Sequence, residues 1–215
     1  MIIGKLSLVR YFLYVIAQNL GAFMASVMVY LVYLNEFKNY PEGMHSLATS
    51  GIFGTLPRNT TSESGTETFS LFWDQFFSTA LFITSILAIC DDENTSNKIP
   101  HTIKAVLVGL SLFAVGTAFG LNSGFAVNPA RDFAPRMFTL MAGWGGKVFT
   151  AGPYYFWIPI VAPMCGSVLA VVMYQLFICN HWPNDADIVE KIDFKKKRDS
   201  IELDRIRSKR DSIEA

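Results

Sequence analysis

Charged residues are scarce in this sequence. Asp, Glu, Lys and Arg make up 17% of its 215 residues, whereas 51% are hydrophobic and the mean hydropathy is +0.32. Acidic and basic residues number 18 each, so the net charge is zero and no basic surface is expected to attract nucleic acid. The shortage of charge excludes an ordinary soluble domain, a disordered chain and a nucleic-acid-binding protein. It indicates a membrane protein.

Cysteine is also rare, and the three that occur lie in apolar sequence: Cys90, Cys165 and Cys179. An odd number without the spacing of metal ligands argues against a disulfide-rich secreted domain and against a metal site. Asp74, Asp132 and His101 show neither paired carboxylates nor a nucleophile beside a base. We therefore expect no metal, no cofactor and no enzymatic activity.

Half of the charge is confined to the C-terminal end. Residues 184–215 hold nine of the 18 basic and nine of the 18 acidic residues, and they repeat Lys-Arg-Asp-Ser-Ile-Glu at Lys197–Glu202 and Lys209–Glu214. Such a mixed-charge pattern is typical of a solvated helix or a disordered tail. We predict a membrane domain over residues 1–182 and a charged cytoplasmic tail over residues 183–215.

The rest of the chain contains apolar stretches long enough to span a membrane. A spanning helix needs about 20 mostly apolar residues. Four segments meet this condition: Tyr11–Leu34, Leu71–Cys90, Ile103–Leu121 and Phe156–Cys179. The sequence therefore predicts an all-α membrane protein with about four transmembrane helices.

Small residues recur every four positions within three of these spans. They are Ala17, Gly21 and Ala25 in the first, Ala105 and Gly109 in the third, and Ala162, Gly166 and Ala170 in the last. Because small residues let helix backbones approach closely in lipid, these seams predict helix-to-helix packing.

Two polar residues fall in the first turns of the second span. Asp74 and Gln75 would each need a partner in the bundle interior, unless Asp74 lies at the membrane surface and contacts water. The sequence leaves both alternatives open for Asp74.

Orientation is predicted from the basic residues and from a glycosylation sequon. With a cytoplasmic N-terminus, 13 Lys and Arg lie inside and five outside, although the tail supplies nine of the 13. The sequon at Asn59 then lies in an outer loop and is a glycosylation candidate. Both termini are predicted to be cytoplasmic.

Between the third and fourth spans lies an apolar segment too short to cross the bilayer. Asn128 is a suitable N-cap, Pro129 suits the first helical position, and helical spacing continues to the glycines from Gly143. Arg131 adds a permanent cation, which is costly inside a membrane and usually marks a solute or ion path. We predict a re-entrant half-helix that lines a watery cavity.

The segment Gly120–Arg136, which contains Asn128-Pro129-Ala130, resembles the second Asn-Pro-Ala loop of the aquaporin or major intrinsic protein family. Ala17–Phe23, Gly51–Thr55 and Trp157–Val161 are similar to the family's third helix, outer loop and sixth helix. The likeness runs from residue 1 to about residue 182. It implies an aquaporin-like bundle that passes small neutral solutes.

Individual positions resemble the glycerol-conducting branch, the aquaglyceroporins. The branch markers are Asp132, Arg136, Pro159 and Ile160. The resemblance assigns the selectivity filter to Gly116, Phe125 and Arg131, where glycine in place of a larger residue would widen the pore. It implies glycerol and water as permeants, with urea as a further candidate, together with assembly into homo- or hetero-tetramers and a plasma-membrane location.

The chain departs from the family in the first of the two repeats. It contains one Asn-Pro-Ala and four spans, so we expect the second repeat to be complete and the first to be mostly missing. The leading hypothesis is a glycerol and water channel polypeptide, either a shortened isoform or an incomplete gene product. The alternative is a non-conducting isoform that co-assembles with full-length relatives, regulates them and is retained in the reticulum.

Overall fold

A computed structural model describes residues 4, 6–58, 65–94, 98–182, 193–201 and 203. In these residues the regular structure is helical and no strand occurs. The α-helices are α1 Leu8–Val32, α2 Leu34–Lys38, α3 Leu47–Ser50, α4 Gly65–Cys90, α5 His101–Ser123, α6 Pro129–Thr139, α7 Lys147–Tyr154 and α8 Ile158–Phe177. A π-helical turn, Leu140–Trp144, follows α6, and the 3-10 turns Tyr155–Trp157 and Cys179–His181 flank α8.

Four helical segments are long and apolar enough to cross a bilayer. They are Leu8–Val32, Glu67–Cys90, His101–Ser123 and Tyr155–His181. Each overlaps one predicted span, so the prediction of an all-α, four-span protein is confirmed. The sequon residue Asn59 lies outside the described residues.

The chain divides into two compact units, Met1–Tyr174 and Gln175–Ala215. The first contains α1 to α7 and most of α8, and the second contains the end of α8 and helical residues 193–201. The division into a membrane domain over residues 1–182 and a tail over residues 183–215 stays a prediction.

Helix α6 is the predicted half-helix. It is α-helical for 11 residues from Pro129, with Asn128 as its N-cap, and it then widens into the π-helical turn. Gly143, the fourth residue of the turn, interrupts the helical backbone with a φ of 112°, a conformation that residues with a side chain rarely adopt. The half-helix therefore begins and ends where the sequence predicts.

The buried face of α6 is not the face that carries Phe133, although apolar spacing would place that residue inward. Phe133 is 37% exposed, whereas Asp132 and Arg136 are 0% and 2% exposed. In a membrane protein the surface that faces lipid is itself apolar, so apolar spacing locates a helix without revealing its inner face. Asp132 and Arg136, on the inner face, form an ion pair with each other.

An aromatic core joins α1, α2, α6 and the segment after α3. The Phe53 ring lies 5.3 Å from the Phe138 ring and 5.5 Å from the Trp144 ring. Tyr30 on α1 contacts the same two rings at 5.7 and 5.9 Å. These contacts hold the segment that carries Phe53 against α6.

Only the last of the predicted small-residue seams packs against a described helix. A Cβ on Gly166 would lie 2.3 Å from the Phe76 backbone oxygen, so α8 and α4 touch through their backbones. A Cβ on Gly109 or Gly21 would meet no described atom within 4 Å. The α1 seam instead faces a cavity, which Gly21 and Ala25 help to line.

The turn between α4 and α5 is fastened by polar side chains. Lys104 Nζ donates to the Cys90 backbone oxygen at 3.1 Å and to Asp92 Oδ1 at 2.5 Å. Tyr174 Oη on α8 donates to Asp91 Oδ2 at 2.9 Å. The Lys104 ammonium group lowers the pKa of the Asp92 carboxyl below its ordinary value. Three helix ends are thus tied together at this turn.

Gly166→Ala should destabilise the protein because the new methyl group would overlap the Phe76 carbonyl. Overpacking of this kind typically costs about 1–3 kcal/mol. Gly109→Ala is the matched control on another span, because its Cβ enters open space. Thermal unfolding in detergent should show a lower midpoint for Gly166→Ala alone. Equal midpoints for the two variants would contradict the close approach of α4 and α8.

Lys104→Met should lower the unfolding midpoint at neutral pH because it removes the two bonds that Lys104 donates, to the Cys90 backbone oxygen and to Asp92. The lowered pKa of Asp92 means that the ion pair stabilises the fold fully above about pH 4, the ordinary Asp value. This contribution is lost as the pH falls through the lower pKa of the folded state. The difference in midpoint between wild type and Lys104→Met should therefore stay constant from pH 7 to 5 and narrow below pH 4. A gap that widens on acidification would refute the assignment.

Candidate functional site: the α6 N-terminus and its two cavities

The loop that leads into α6 has an unusual backbone. Gly124, Phe125 and Val127 have φ angles of 72°, 53° and 40°. A β-branched residue such as Val127 rarely adopts a positive φ, and such strain persists only where neighbouring groups impose it. Gln75 Oε1 accepts a hydrogen bond from the Val127 amide at 2.8 Å, and Ala126 is 2% exposed. The α4 side chain therefore sets the course of this loop.

Ser123, at the end of α5, connects that loop to two spans. The Gln75 Nε2 donates to Ser123 Oγ, which in turn donates to Asp74 Oδ2. Tyr155 Oη donates to the Ser123 backbone oxygen at 2.6 Å. Asp74, itself half-buried, thus has the buried Ser123 hydroxyl as a partner inside the bundle.

Asn128 caps α6 through its side-chain oxygen. Oδ1 accepts from the Ala130 amide at 3.0 Å and from the Arg131 amide at 3.3 Å. Since the oxygen serves the helix, the Nδ2 group is left as the donor end of the side chain. The first turn of α6 also brings its positive dipole end to this point.

Arg131 lines two cavities and is the residue that their linings share. The first, here called the α1 cavity, has a volume of about 610 Å³. The second, here called the loop cavity, has a volume of about 560 Å³. The Arg131 Nη1 donates to the Phe53 backbone oxygen at 2.9 Å, and the residue is exposed at the cavity surface.

The α1 cavity is lined by small residues on one side and by the α6 N-terminus on the other. Its lining residues are Gln18, Gly21, Ala22, Ala25, Ser26, Val29, Ile52, Phe53, Asn128, Ala130, Arg131 and Pro135. The loop cavity is lined by Glu42, Leu47, Ala48, Gly51, Thr55, Leu56, Pro57, Gly124 and Arg131. The walls of the α1 cavity are mostly apolar with a few hydrogen-bonding groups, whereas polar and apolar surface are nearly equal in the loop cavity. Walls of mixed polarity suit small amphipathic molecules.

Two of the three predicted filter residues touch each other. A Cβ on Gly116 would lie 2.9 Å from Phe125 Cε1, so the Phe125 ring packs beside the space that the glycine leaves. The filter assignment and the pore width at these positions stay predictions. Arg131 lines both cavities, while Gly116 and Phe125 line neither.

The branch markers differ in their surroundings. Pro159 is almost fully buried in α8 and Ile160 is half-buried, and neither lines the two cavities. Asp132 and Arg136 form a buried ion pair one turn apart on α6, with Arg136 Nε 2.9 Å from Asp132 Oδ1. These two charges contact protein groups on the inner face of α6.

The buried pair clamps the backbone of Thr55. Asp132 Oδ2 accepts from the Thr55 amide at 2.8 Å and from Thr55 Oγ1 at 2.5 Å. Arg136 donates to the Thr55 backbone oxygen at 2.6 Å and to the Val148 backbone oxygen at 2.5 Å. Thr55 lies two residues after Phe53, whose carbonyl binds Arg131. The pair therefore fixes the segment that orients the Arg131 guanidinium.

Sequence reasoning missed part of this arrangement. Gln75 was flagged as a polar residue within a span, and the structure supplies its partners. Phe53, Thr55 and Ser123 lie within segments that resemble the family, but nothing in the sequence distinguishes them from their neighbours there. Tyr155 has no such signal, because a single tyrosine near a span end is common in membrane proteins.

Arg136→Met should destabilise the protein because it leaves the Asp132 carboxylate buried without a counter-charge. Breaking a buried pair in this way costs about 3–5 kcal/mol. The double variant Asp132→Asn with Arg136→Met removes both charges and should recover part of the loss. Unfolding midpoints in detergent measure both effects. A double variant less stable than Arg136→Met alone would contradict the pairing.

Comparison with known proteins adds an independent line of observation. Residues 1–174 match the family model of the major intrinsic protein. Aquaporin-10 of Homo sapiens is 37% identical over 85% of this chain and 60% of its own length. Aquaporin-10 of Milnesium tardigradum is 34% identical over 97% of this chain and 54% of its own length. The chain thus spans between half and two thirds of the length of these relatives.

A solved structure shares the fold. The aquaglyceroporin from Plasmodium falciparum superposes with a TM-score of 0.67 and 31% identity, over 83% of this chain and 68% of that one. Together with the four apolar helices, the comparisons show a multi-pass membrane protein from a family of channels, not enzymes. This chain belongs to the major intrinsic protein family, as its Asn-Pro-Ala half-helix predicts.

Proposed function

We propose that this chain forms part of the wall of a channel through which glycerol, water and other small neutral solutes cross a membrane passively. The observation that carries the proposal is that Arg131 lines both the α1 cavity and the loop cavity. In the proposed channel a solute passes this guanidinium as it moves from one cavity to the other. The relatives named aquaporin-10 and the aquaglyceroporin structure support the same function.

The arrangement suits a polyol better than an ion. A guanidinium carries five N–H donors, and the Phe53 carbonyl accepts from one of its nitrogens. The remaining donors have no partner among the residues that the structure describes, and we propose that they bind neighbouring hydroxyl oxygens of one solute molecule. Gly21, Ala22 and Ala25 on the opposite wall offer an apolar surface to the carbon side of that molecule.

The same groups oppose cations and protons. The Arg131 charge and the positive dipole end of α6 both repel a positive ion. The Asn128 Nδ2 group donates a hydrogen bond to a passing oxygen, so neutral solutes gain a partner where cations do not. This electrostatic profile is that of a pore for uncharged solutes.

Further parts of the proposal follow from the family likeness. We infer that urea is a further permeant, that the protein assembles as a homo- or hetero-tetramer, and that it resides in the plasma membrane with both termini cytoplasmic. The competing function is a non-conducting subunit that co-assembles with full-length relatives. Flux measurements distinguish the two.

Conduction is tested in a full-length relative, such as Aquaporin-10 of Homo sapiens, in which residues 1–182 of this chain replace the matching segment. Stopped-flow swelling of vesicles should show both glycerol and water permeability. Arg131→Ala should change the ratio of the two permeabilities. A correctly folded chimera without solute flux would instead favour the non-conducting subunit.

Gly116→His in that chimera should lower glycerol permeability about tenfold, equivalent to about 1.4 kcal/mol of barrier, and lower water permeability much less. The reason is that any side chain at this position must displace the Phe125 ring, which would narrow the proposed filter and obstruct glycerol more than the smaller water molecule. Gly120→His is the matched control on the same helix, because a Cβ there meets no described atom within 4 Å. Equal loss of both permeabilities in Gly116→His would contradict a filter role.

Membrane orientation is tested by glycosylation. The proposed topology exposes Asn59 to the lumen during synthesis and keeps the second sequon, Asn94-Thr95-Ser96, on the cytoplasmic side. Endoglycosidase treatment should therefore shift the mobility of the wild type but not of Asn59→Gln. Modification at Asn94 would invert the topology.

A further inference from the structure

The tail contains an exposed helix with a mixed apolar and basic face. Residues 193–201 are helical and exposed, and the Phe194 and Ile201 side chains are 74% and 52% exposed. These two residues are seven apart, so they lie on the same side of the helix. Lys197 and Arg198 lie between them on that side, three and four residues from each. The four residues Phe194, Lys197, Arg198 and Ile201 are here called the basic stripe.

The same pattern occurs twice in the sequence. Phe194-x-x-Lys197-Arg198-x-x-Ile201 is followed, 12 residues later, by Ile206-x-x-Lys209-Arg210-x-x-Ile213. The second copy lies outside the described residues and is known from its sequence alone. A repeat of apolar and basic positions at helical spacing indicates that the tail keeps these residues on one helix face, beyond keeping its charge.

We propose that the basic stripe docks on an anionic lipid surface. Large apolar side chains on a solvated helix are unfavourable unless something covers them, and here basic residues lie between them. Lys and Arg can lay their aliphatic stems on the lipid surface while their charges meet lipid phosphates, as the flanking apolar side chains insert. Asp199 lies on a different side of the helix, so its carboxylate does not face the same surface.

The position of the stripe in the chain favours lipid over a soluble partner. Asp193 follows His181, the last residue of the final apolar segment, by 12 residues. A bilayer is therefore always within reach of the stripe, at a high effective concentration. Basic clusters shortly after a membrane span are attracted to anionic leaflets, and each Lys or Arg near the surface strengthens the attraction about fivefold. The cytoplasmic leaflet, where the proposed topology puts the tail, is the anionic one.

The test uses the full chain in lipid nanodiscs of phosphatidylcholine, with or without phosphatidylserine, and follows hydrogen exchange of the tail by mass spectrometry. A helix this short is marginal in water, so its amides exchange rapidly unless it is docked. Exchange over residues 195–201 should slow in the anionic discs only. The slowing should disappear at about 1 M salt, where the screening length falls to about 3 Å.

Matched variants separate the face from the charge. Lys197→Ala with Arg198→Ala should lower the ratio of docked to free helix about 25-fold, whereas Lys195→Ala with Lys196→Ala removes the same charge outside the stripe and should have a smaller effect. Phe194→Ser with Ile201→Ser should also abolish the protection. Because all these residues are exposed, none of the variants should change the unfolding midpoint. An unchanged midpoint shows that a variant is correctly folded.

Three results would overturn the proposal. Equal exchange in neutral and anionic discs would exclude lipid charge as the attractant. If Lys195→Ala with Lys196→Ala reduced the protection as much as Lys197→Ala with Arg198→Ala, the stripe would be excluded as the docking face. Protection that appears only when calcium-loaded calmodulin is added would show that the helix binds a soluble protein instead.

Discussion

The buried ion pair of Asp132 and Arg136 is the interaction on which the site depends. Two charges that are 0% and 2% exposed would be very unfavourable in an apolar bundle without partners. The pair meets this cost by binding backbone and hydroxyl groups of Thr55 and the backbone oxygen of Val148. In doing so it joins α6 to the segment after α3 and to α7. A hydrophobic pair of the same size could fill the space, but it could not fix the direction of the Thr55 peptide groups.

The direction of the Thr55 peptide groups matters because it fixes the position of Phe53, whose carbonyl binds Arg131. Arg131 precedes Asp132 on α6 but is turned toward the cavities, and Phe53 precedes Thr55 by two residues. The Phe53 carbonyl accepts from Arg131 Nη1, and the Phe53 ring is held in the aromatic core. In the proposed channel, the Arg131 side chain would meet solute while the adjacent Asp132 holds the segment that orients it. The role inferred for Asp132 and Arg136 is to position the guanidinium, without contact to the solute.

A second polar network holds the loop before α6 in the same manner. Gln75 binds both the Val127 amide and Ser123, and Tyr155 binds the Ser123 backbone oxygen. These contacts maintain a strained backbone at Phe125 and Val127, and the Phe125 ring fills the space beside Gly116. The Asn128 cap and Arg131 then follow at fixed positions. The strain at this loop is thus balanced by hydrogen bonds from two different spans.

Much of the fold could be predicted from the sequence, and the inner face of the site could not. Span length and apolar composition located four helices, and Asn128, Pro129 and Gly143 located the half-helix, because caps and breakers act locally. The burial of Asp132 and Arg136 depends on a segment more than 70 residues away, and no local pattern reveals it. The contact between Gly116 and Phe125 joins residues only nine apart, and its effect on pore width stays a prediction. In lipid, apolar spacing does not distinguish an inward face from an outward one.

The central claim is that the clamp on Thr55 acts on solutes through Arg131. A double-mutant cycle in the chimera tests it most directly, with Thr55→Val and Arg131→Ala. Thr55→Val removes the hydroxyl that donates to Asp132 and leaves the backbone bonds of Thr55 in place. The measured quantity is the ratio of glycerol to water permeability in vesicles. The account predicts that Thr55→Val changes this ratio when Arg131 is present and has little further effect in the Arg131→Ala background. Additive changes in the two backgrounds would show that Thr55 acts independently of Arg131 and would contradict the account.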